Sequence, residues 1–231
     1  MKQQRYKGFA FYFCLCCFPG LCVFGCGCGL VSIFGDPTSH EKRVPAEYRF
    51  GGAKQPRILV LVNEPVWLGS EVNLRYYVTK RIVGRMVKYA RVRRDNLIGY
   101  GELSEFHSGR SDFSRLSLVE VGRALQADYV LYVTVADYAL TRMSESNYYQ
   151  GHLVADSFVR EVGSDEKVWP ESEQSRIVRV SFEVESGGQS AAVERLADAA
   201  AHCIVRCFYD CREDSFHIAD EIRDSSVMEW K

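Results

Sequence analysis

The stretch "RIVRVSFEVE", residues 176–185, alternates apolar and polar residues almost throughout. Val178, Val180, Phe182 and Val184 face one way; Arg179, Ser181, Glu183 and Glu185 face the other. Strand side chains alternate with a period of two, so this is a strand with one dry face and one wet face. A parallel sheet with helices on both faces would bury Arg179 and Glu183 at a high desolvation cost. The stretch therefore points to an antiparallel region covered on one side.

Its neighbours extend the pattern. Residues from Tyr129 to about Leu140 and from Tyr149 to Val162 are rich in Val, Tyr and other strand formers, and complete a three-strand meander. Downstream, Gly187 and Gly188 end the strand, and Ser190 is placed to cap a helix reaching about Arg212. Upstream, Arg57-Ile-Leu-Val-Leu-Val62 is a continuous apolar run suited to a central strand buried on both faces.

Asn63, Pro65 and Gly69 break that run. Ser70 then caps a predicted helix to about Ala90, with Val72, Tyr76, Val83, Met86 and Val87 on one side. The other side carries Arg75, Lys80, Arg81, Arg85 and Lys88, read as a solvated face or a basic surface for an acidic partner or lipid headgroups. Residues 96–100 suit a short strand. Ser117-Leu-Val-Glu120 has capping-box spacing and opens a helix to about Gln126. The predicted order is β-α-β-α-β-β-β-α. The expected class is α/β (an α+β sandwich), a mixed sheet of about five strands with helices packed on one face.

The chain has 231 residues, 47% hydrophobic and 26% charged, with a formal net charge of −1. Such a composition is globular, not disordered. Its first acid is Asp36, and the only bases before Cys26 are Lys2, Arg5 and Lys7, so the part from Cys26 onward is mildly acidic. That balance supplies no electrostatic attraction for a polyanion, and nucleic acid is not an expected partner.

Six of the nine cysteines lie in the first 28 residues, and the others are Cys203, Cys207 and Cys211. A disulfide framework would spread them through the domain. Instead, the early cysteines sit in an uncharged stretch, 8–35, that follows a short basic segment. That pattern reads as a secretory leader or an uncleaved membrane anchor. Val23-Phe24-Gly25-Cys26 resembles the end of a bacterial lipoprotein signal, which implies cleavage before Cys26 and acylation of that cysteine. Phe24 is bulkier than the family pattern has at that position, and Gly27 in place of aspartate leans towards the outer membrane. The expected layout is a signal peptide 1–25, a tether 26–55, a domain 56–212 and a tail 213–231.

Few residues suggest chemistry. Cys203, Cys207 and Cys211 are spaced four apart, so on one helix they would form a narrow stripe. The stripe continues the apolar seam of Val193, Leu196 and Ala200 and reads as core, with a metal or redox site as the weaker alternative. Gly99-Tyr-Gly101 begins a phosphate-loop pattern that lacks its third glycine and an evident following helix. His107, Ser108 and Asp112 lie in a polar stretch expected to be a loop; a hydrolytic set is conceivable only if folding arranges them. Tyr132 and Tyr138, among the strand tyrosines, are candidates for a partner surface, as are Arg75, Arg81 and Arg85. No cofactor is expected.

Val121-Gly-Arg-Ala-Leu-Gln-Ala-Asp-Tyr-Val130 resembles a phrase of envelope lipoproteins related to the curli-secretion channel (CsgG-like) and to transport-auxiliary lipoproteins. The first strand at 57–62, Lys167-Val-Trp169 and the alanine-rich segment at 191–212 fit the same pattern. The resemblance implies a small α/β sandwich on a lipid anchor, non-catalytic, assembling with copies of itself or with an envelope transport or secretion system. The turn at 140–148 is short and charged, so no pore-forming hairpin is expected. An envelope hydrolase or thiol or metal enzyme, and a small-ligand carrier built on the aromatic sheet, are the alternatives.

Overall fold

The computed structural model describes residues 42–51, 56–65, 73–143, 148–184 and 187–216. The leader, including Cys26, and residues 217–231 lie outside the described residues, as do Ser70 and Val72.

Chain order is β1 (Arg43–Val44), β2 (Ile58–Asn63), α1 (Leu74–Lys88), β3 (Leu97–Ile98), α2 (Tyr100–Ser108), α3 (Leu118–Ala124), β4 (Tyr129–Arg142), β5 (Tyr149–Glu161), β6 (Lys167–Trp169), β7 (Arg176–Val184), α4 (Gly188–Val205), β8 (Cys211–Arg212) and α5 (Glu213–Phe216). The main sheet has six strands in the order β3-β2-β4-β5-β6, with β7 also on β5. β2 runs parallel to β3 and β4, whereas β5 is antiparallel to β4, β6 and β7. The expected mixed α/β sandwich is thus present.

The helices, however, occupy both faces. Ile58, Val60 and Val62 of β2 pack with α1 and α4 in the larger core. Leu59, between them, packs with Leu103 of α2 and Val119 and Val121 of α3 in a second core. The cause lies in the continuous apolar run of β2, which needs cover on both sides. Beyond β4 the second cover stops. In β7, Val178, Val180 and Phe182 are buried against the α4 side, and Ile177 is exposed. The one-sided arrangement predicted for 176–185 therefore holds for the antiparallel half alone.

Local signals set several boundaries. Ser117 accepts from Glu120 N at 3.2 Å and its own N–H donates to Glu120 Oε2 at 2.7 Å, the predicted capping box of α3. α1 starts later than predicted: Asn73 caps it, accepting from Tyr76 N at 3.0 Å, and Glu64 accepts from Arg75 N at 3.0 Å. Its buried side is Leu74, Val78, Ile82, Val83 and Met86, and Val87 is exposed, so the apolar face is turned from the one predicted. Residues 100–108, expected as strand end and loop, form α2, opened by Gly99 N donating to Glu102 Oε2 at 2.8 Å. α4 ends at Val205 rather than near Arg212, and Ser190 lies inside it. Gly187 precedes α4 with a φ of +92°, a conformation that suits glycine.

The described part of the expected tether is fastened to the body. β1 pairs antiparallel with β8. Tyr48 N donates to Cys207 O at 3.1 Å, and Glu47 accepts from Trp169 Nε1 at 3.2 Å. Phe50 packs on Phe208 and Tyr129, with ring centroids 5.1 and 5.7 Å apart. Asp210 takes Ala46 N at 3.0 Å and pairs with Arg49. Residues 42–50 are a strap across one end of the sheet.

Candidate functional site

The three late cysteines do not form one stripe. Cys203 is on α4, Cys207 in the 3-10 turn that follows, and Cys211 in β8, because the chain leaves the helix to meet β1. All three are buried free thiols. Cys207 Sγ donates to Cys203 O at 3.7 Å, and burial, followed by the Glu47 charge, pushes its thiol up to about 12. Such a group stays protonated at neutral pH and is a weak nucleophile and ligand. Among the described residues, no cluster of three His, Cys, Asp or Glu could hold a metal ion.

The polar residues near α2 are separately engaged. Ser108 Oγ donates to Ser104 O at 2.8 Å, and Arg110 donates twice to Asp112 at 3.0 Å. The Arg110 guanidinium holds the Asp112 carboxyl below its usual range. His107 lies edge-on to Phe113 with centroids 4.5 Å apart. No relay from Asp112 through His107 to Ser108 is formed.

Two of the basic candidates belong to an internal seam. Arg81 Nη2 donates to Glu194 Oε2 at 2.7 Å. Arg85 donates to both Asp198 oxygens at 3.0 and 2.6 Å, and its Nη1 lies 3.2 Å from His202 Nδ1. Residues four apart on α1 thus meet residues four apart on α4, a ladder of cross-helix contacts. Sequence spacing contained that signal, since Arg81 and Arg85 match Glu194 and Asp198 in period. Arg85 donating to Nδ1 leaves the neutral His202 proton on Nε2. Burial, then the charges of Arg85 and Arg206, lowers the His202 pKa. Next along the seam, Tyr89 stacks on Tyr209 at 5.4 Å.

Two surfaces remain. One is a cleft of about 310 Å³ at the carboxyl end of β2, walled by Leu61, Leu103 and Phe113 and rimmed by Asn63, Arg75, Ser104 and His107. β3 and β4 lie on opposite sides of β2, and this is the end of an α/β sheet where the chain changes direction and where ligands commonly bind. Arg75, the remaining basic candidate, lies 3.7 Å from Glu64 there.

The other surface is the open face of the antiparallel half. Across it run Tyr132 and Phe158, then Thr134, Asp156 and Ile177, then Asp137, Val154 and Arg179, then Ala139, His152 and Ser181. Tyr132 lies 5.2 Å from Phe158, centroid to centroid. Tyr138 faces the opposite side, packed on the larger core, and burial pushes its hydroxyl up to about 12. Of the two tyrosine candidates, only Tyr132 belongs to the open face. Among the described residues, β7 pairs with β5 alone, so its outer edge has no strand beside it.

No family model matches the chain, and no curated protein matches it. Among solved structures it is similar to lipoprotein GNA1162 from Neisseria meningitidis, at 15% identity and a TM-score of 0.41, covering 64% of this chain and 97% of that one. It is also similar to a PelC dodecamer from Paraburkholderia phytofirmans, at 13% identity and a TM-score of 0.44, covering 73% and 96%. A third is the hypothetical protein CT253 from Chlamydia trachomatis, at 12% identity and a TM-score of 0.33, covering 59% and 78%.

Proposed function

We propose that this chain is a lipid-anchored envelope protein whose folded body is a non-catalytic interaction and assembly module. In this reading Cys26 carries the lipid, the body faces the periplasm from the outer membrane, and it serves a transport or secretion assembly. The carrying observation is the asymmetry of the sheet: the antiparallel half is covered on one face and ends on the nine-residue strand β7, whose outer edge has no strand beside it among the described residues. Exposed edges and open sheet faces are where chains pair with other chains. The strap at 42–50 suits an anchored body, because a pull from the leader acts on β1–β8 pairing and ring packing rather than on a loose linker. The thiols are enclosed, and the groups around α2 are tied to other partners, which favours binding over catalysis.

The test uses full-length chain extracted from native envelopes in mild detergent. Mass spectrometry of the mature N-terminus is expected to find Cys26 first and acylated, and size-exclusion with in-line light scattering to find an assembly larger than one chain. A monomer that starts at Met1 without lipid would overturn the proposal. The cleft at the end of β2 favours one second reading, a small-ligand carrier. Native mass spectrometry of the purified chain, with a retained molecule lost on Leu103→Arg, would favour that reading.

A further inference from the structure

The cleft at the carboxyl end of β2 holds hydrogen-bonding groups that the fold leaves unused. The side chains of Asn63, Ser104, His107 and Ser114 line it, and among the described residues none of them makes a hydrogen bond. Arg75 stands at the same rim. Its Nε is enclosed and has no hydrogen-bond partner among the described residues, a state that in a folded protein calls for a partner. Its Nη2 lies 3.7 Å from Glu64 Oε1, a charge contact longer than a hydrogen bond. Glu64 Oε2 instead accepts from the Arg75 backbone N–H at 3.0 Å. Glu64 thus holds the guanidinium in place without using its fork. The unused groups are mostly donors: the guanidinium N–H groups, the Asn63 amide and two hydroxyls. The walls have a different chemistry. Leu61, Leu103 and Phe113 supply apolar surface, and His107 lies edge-on to Phe113.

We propose that this cleft binds a small monocarboxylate with an apolar body, its carboxylate on the Arg75 guanidinium and its body against Leu61, Leu103 and Phe113. The inference rests on the ligand-carrier reading of the cleft, names that ligand's class, and leaves the assembly reading untouched. A planar carboxylate takes two parallel N–H bonds from a guanidinium, which Glu64 at 3.7 Å does not. Asn63 and Ser104, on the same rim, are donors for its remaining lone pairs. α1 opens there with no acid in its first turn, so its amino end adds attraction for an anion. With one cation and one carboxylate at the rim, a singly charged ligand fits better than a phosphate monoester. The cleft of about 310 Å³ equals about ten waters at ~30 Å³ each, so the ligand has about ten non-hydrogen atoms.

The test titrates the purified full chain with hydrocinnamate, a phenyl ring on a three-carbon acid, and with its uncharged amide, followed by ligand-observed NMR. The acid is expected to bind about ten-fold more tightly than the amide. Arg75→Gln is expected to remove that preference, weakening the acid about ten-fold and leaving the amide unchanged. A purely structural role for Arg75 would move both probes together. Glu64→Gln keeps an oxygen for the Arg75 N–H and releases the guanidinium, so the acid is expected to bind several-fold tighter. Phe113→Ala removes part of the wall and weakens both probes alike. Thermal melts check that each variant folds, and the comparison of acid with amide on the wild-type chain stands whether or not they do. Equal binding of acid and amide, an unchanged preference in Arg75→Gln, weaker acid binding in Glu64→Gln, or no binding of either probe overturns the proposal. The carrier reading fails separately. A molecule retained in native mass spectrometry and lost on Leu103→Arg, with no preference for the acid, keeps a carrier and removes the carboxylate site. Acid binding that depends on Arg75 but keeps its full strength in Phe113→Ala sets the anion outside the cleft and removes the proposal.

Discussion

Ile58 and Leu59, adjacent on β2, are both 0% exposed, whereas Ile177 and Val178, adjacent on β7, are 45% and 3% exposed. One sheet thus holds two environments. From β3 to β4 it is parallel and has α1 and α4 on one face, α2 and α3 on the other. From β5 to β7 it is antiparallel and has α4 on one face only. The crossover connections of parallel strands deliver helices to the faces; the hairpins of antiparallel strands deliver none. Buried contact is therefore concentrated in the first half, and open sheet face in the second.

The largest expected effect comes from the doubly covered half. Leu59→Ala removes a fully buried side chain from the smaller core and is expected to cost about 2–5 kcal/mol in urea unfolding. Next, Arg85→Leu breaks two hydrogen bonds to Asp198 and the contact to His202, with an expected loss of about 1.5–3 kcal/mol by the same measurement. Gly122→Ala sharpens the contrast between the halves. A Cβ there would lie 2.8 Å from Val162 Cγ2 and 2.9 Å from Val130 Cγ2, stiff β-branched groups, at a cost of about 1–3 kcal/mol. At Gly151, in the other half, the nearest atoms are the leucine tips Leu196 Cδ1 and Leu140 Cδ1, at 2.8 and 3.0 Å, which can turn aside, so Gly151→Ala costs less.

A smaller effect is pH dependence. The His202 pKa is lowered in the folded chain, so the unfolded chain binds the proton more readily. The contribution is fully present above the ordinary histidine pKa of about 6.5 and is lost as pH falls below it. Thermal melts between pH 7.5 and 5.5 should show Tm falling with pH, and His202→Gln should flatten that part of the curve. Smallest of all, Ile177→Ala is expected to change the stability of a single chain by less than about 0.5 kcal/mol. A loss matching that of Leu59→Ala would break the distinction between the halves.

Much of this was readable from local pattern. The alternation of 176–185 and the apolar run of 57–62 each name a strand and how many of its faces are dry. The capping box at Ser117 and Glu120 is a contact over three residues, so it needs nothing remote. Helix α2 was missed because its single buried residue, Leu103, leaves little apolar period to see. Short strands such as β1, β6 and β8 carry two or three residues each, too few for a period to register. Cys211 was misplaced for a related reason: the apolar seam runs on past Val205, yet the chain turns away to pair with Val44, a contact 167 positions distant.

By itself, the sequence determined β2, β3, β4, β5 and β7, helices α1, α3 and α4, and the dry and wet faces of β2 and β7, because hydrophobic period, caps and turns act between near neighbours. Tertiary structure alone decided which arginines are spent on α4, where the thiols lie, that 42–50 is a strap, and that β7 stands at an edge. Each of those depends on which elements become neighbours in space, and packing, not local propensity, chooses them.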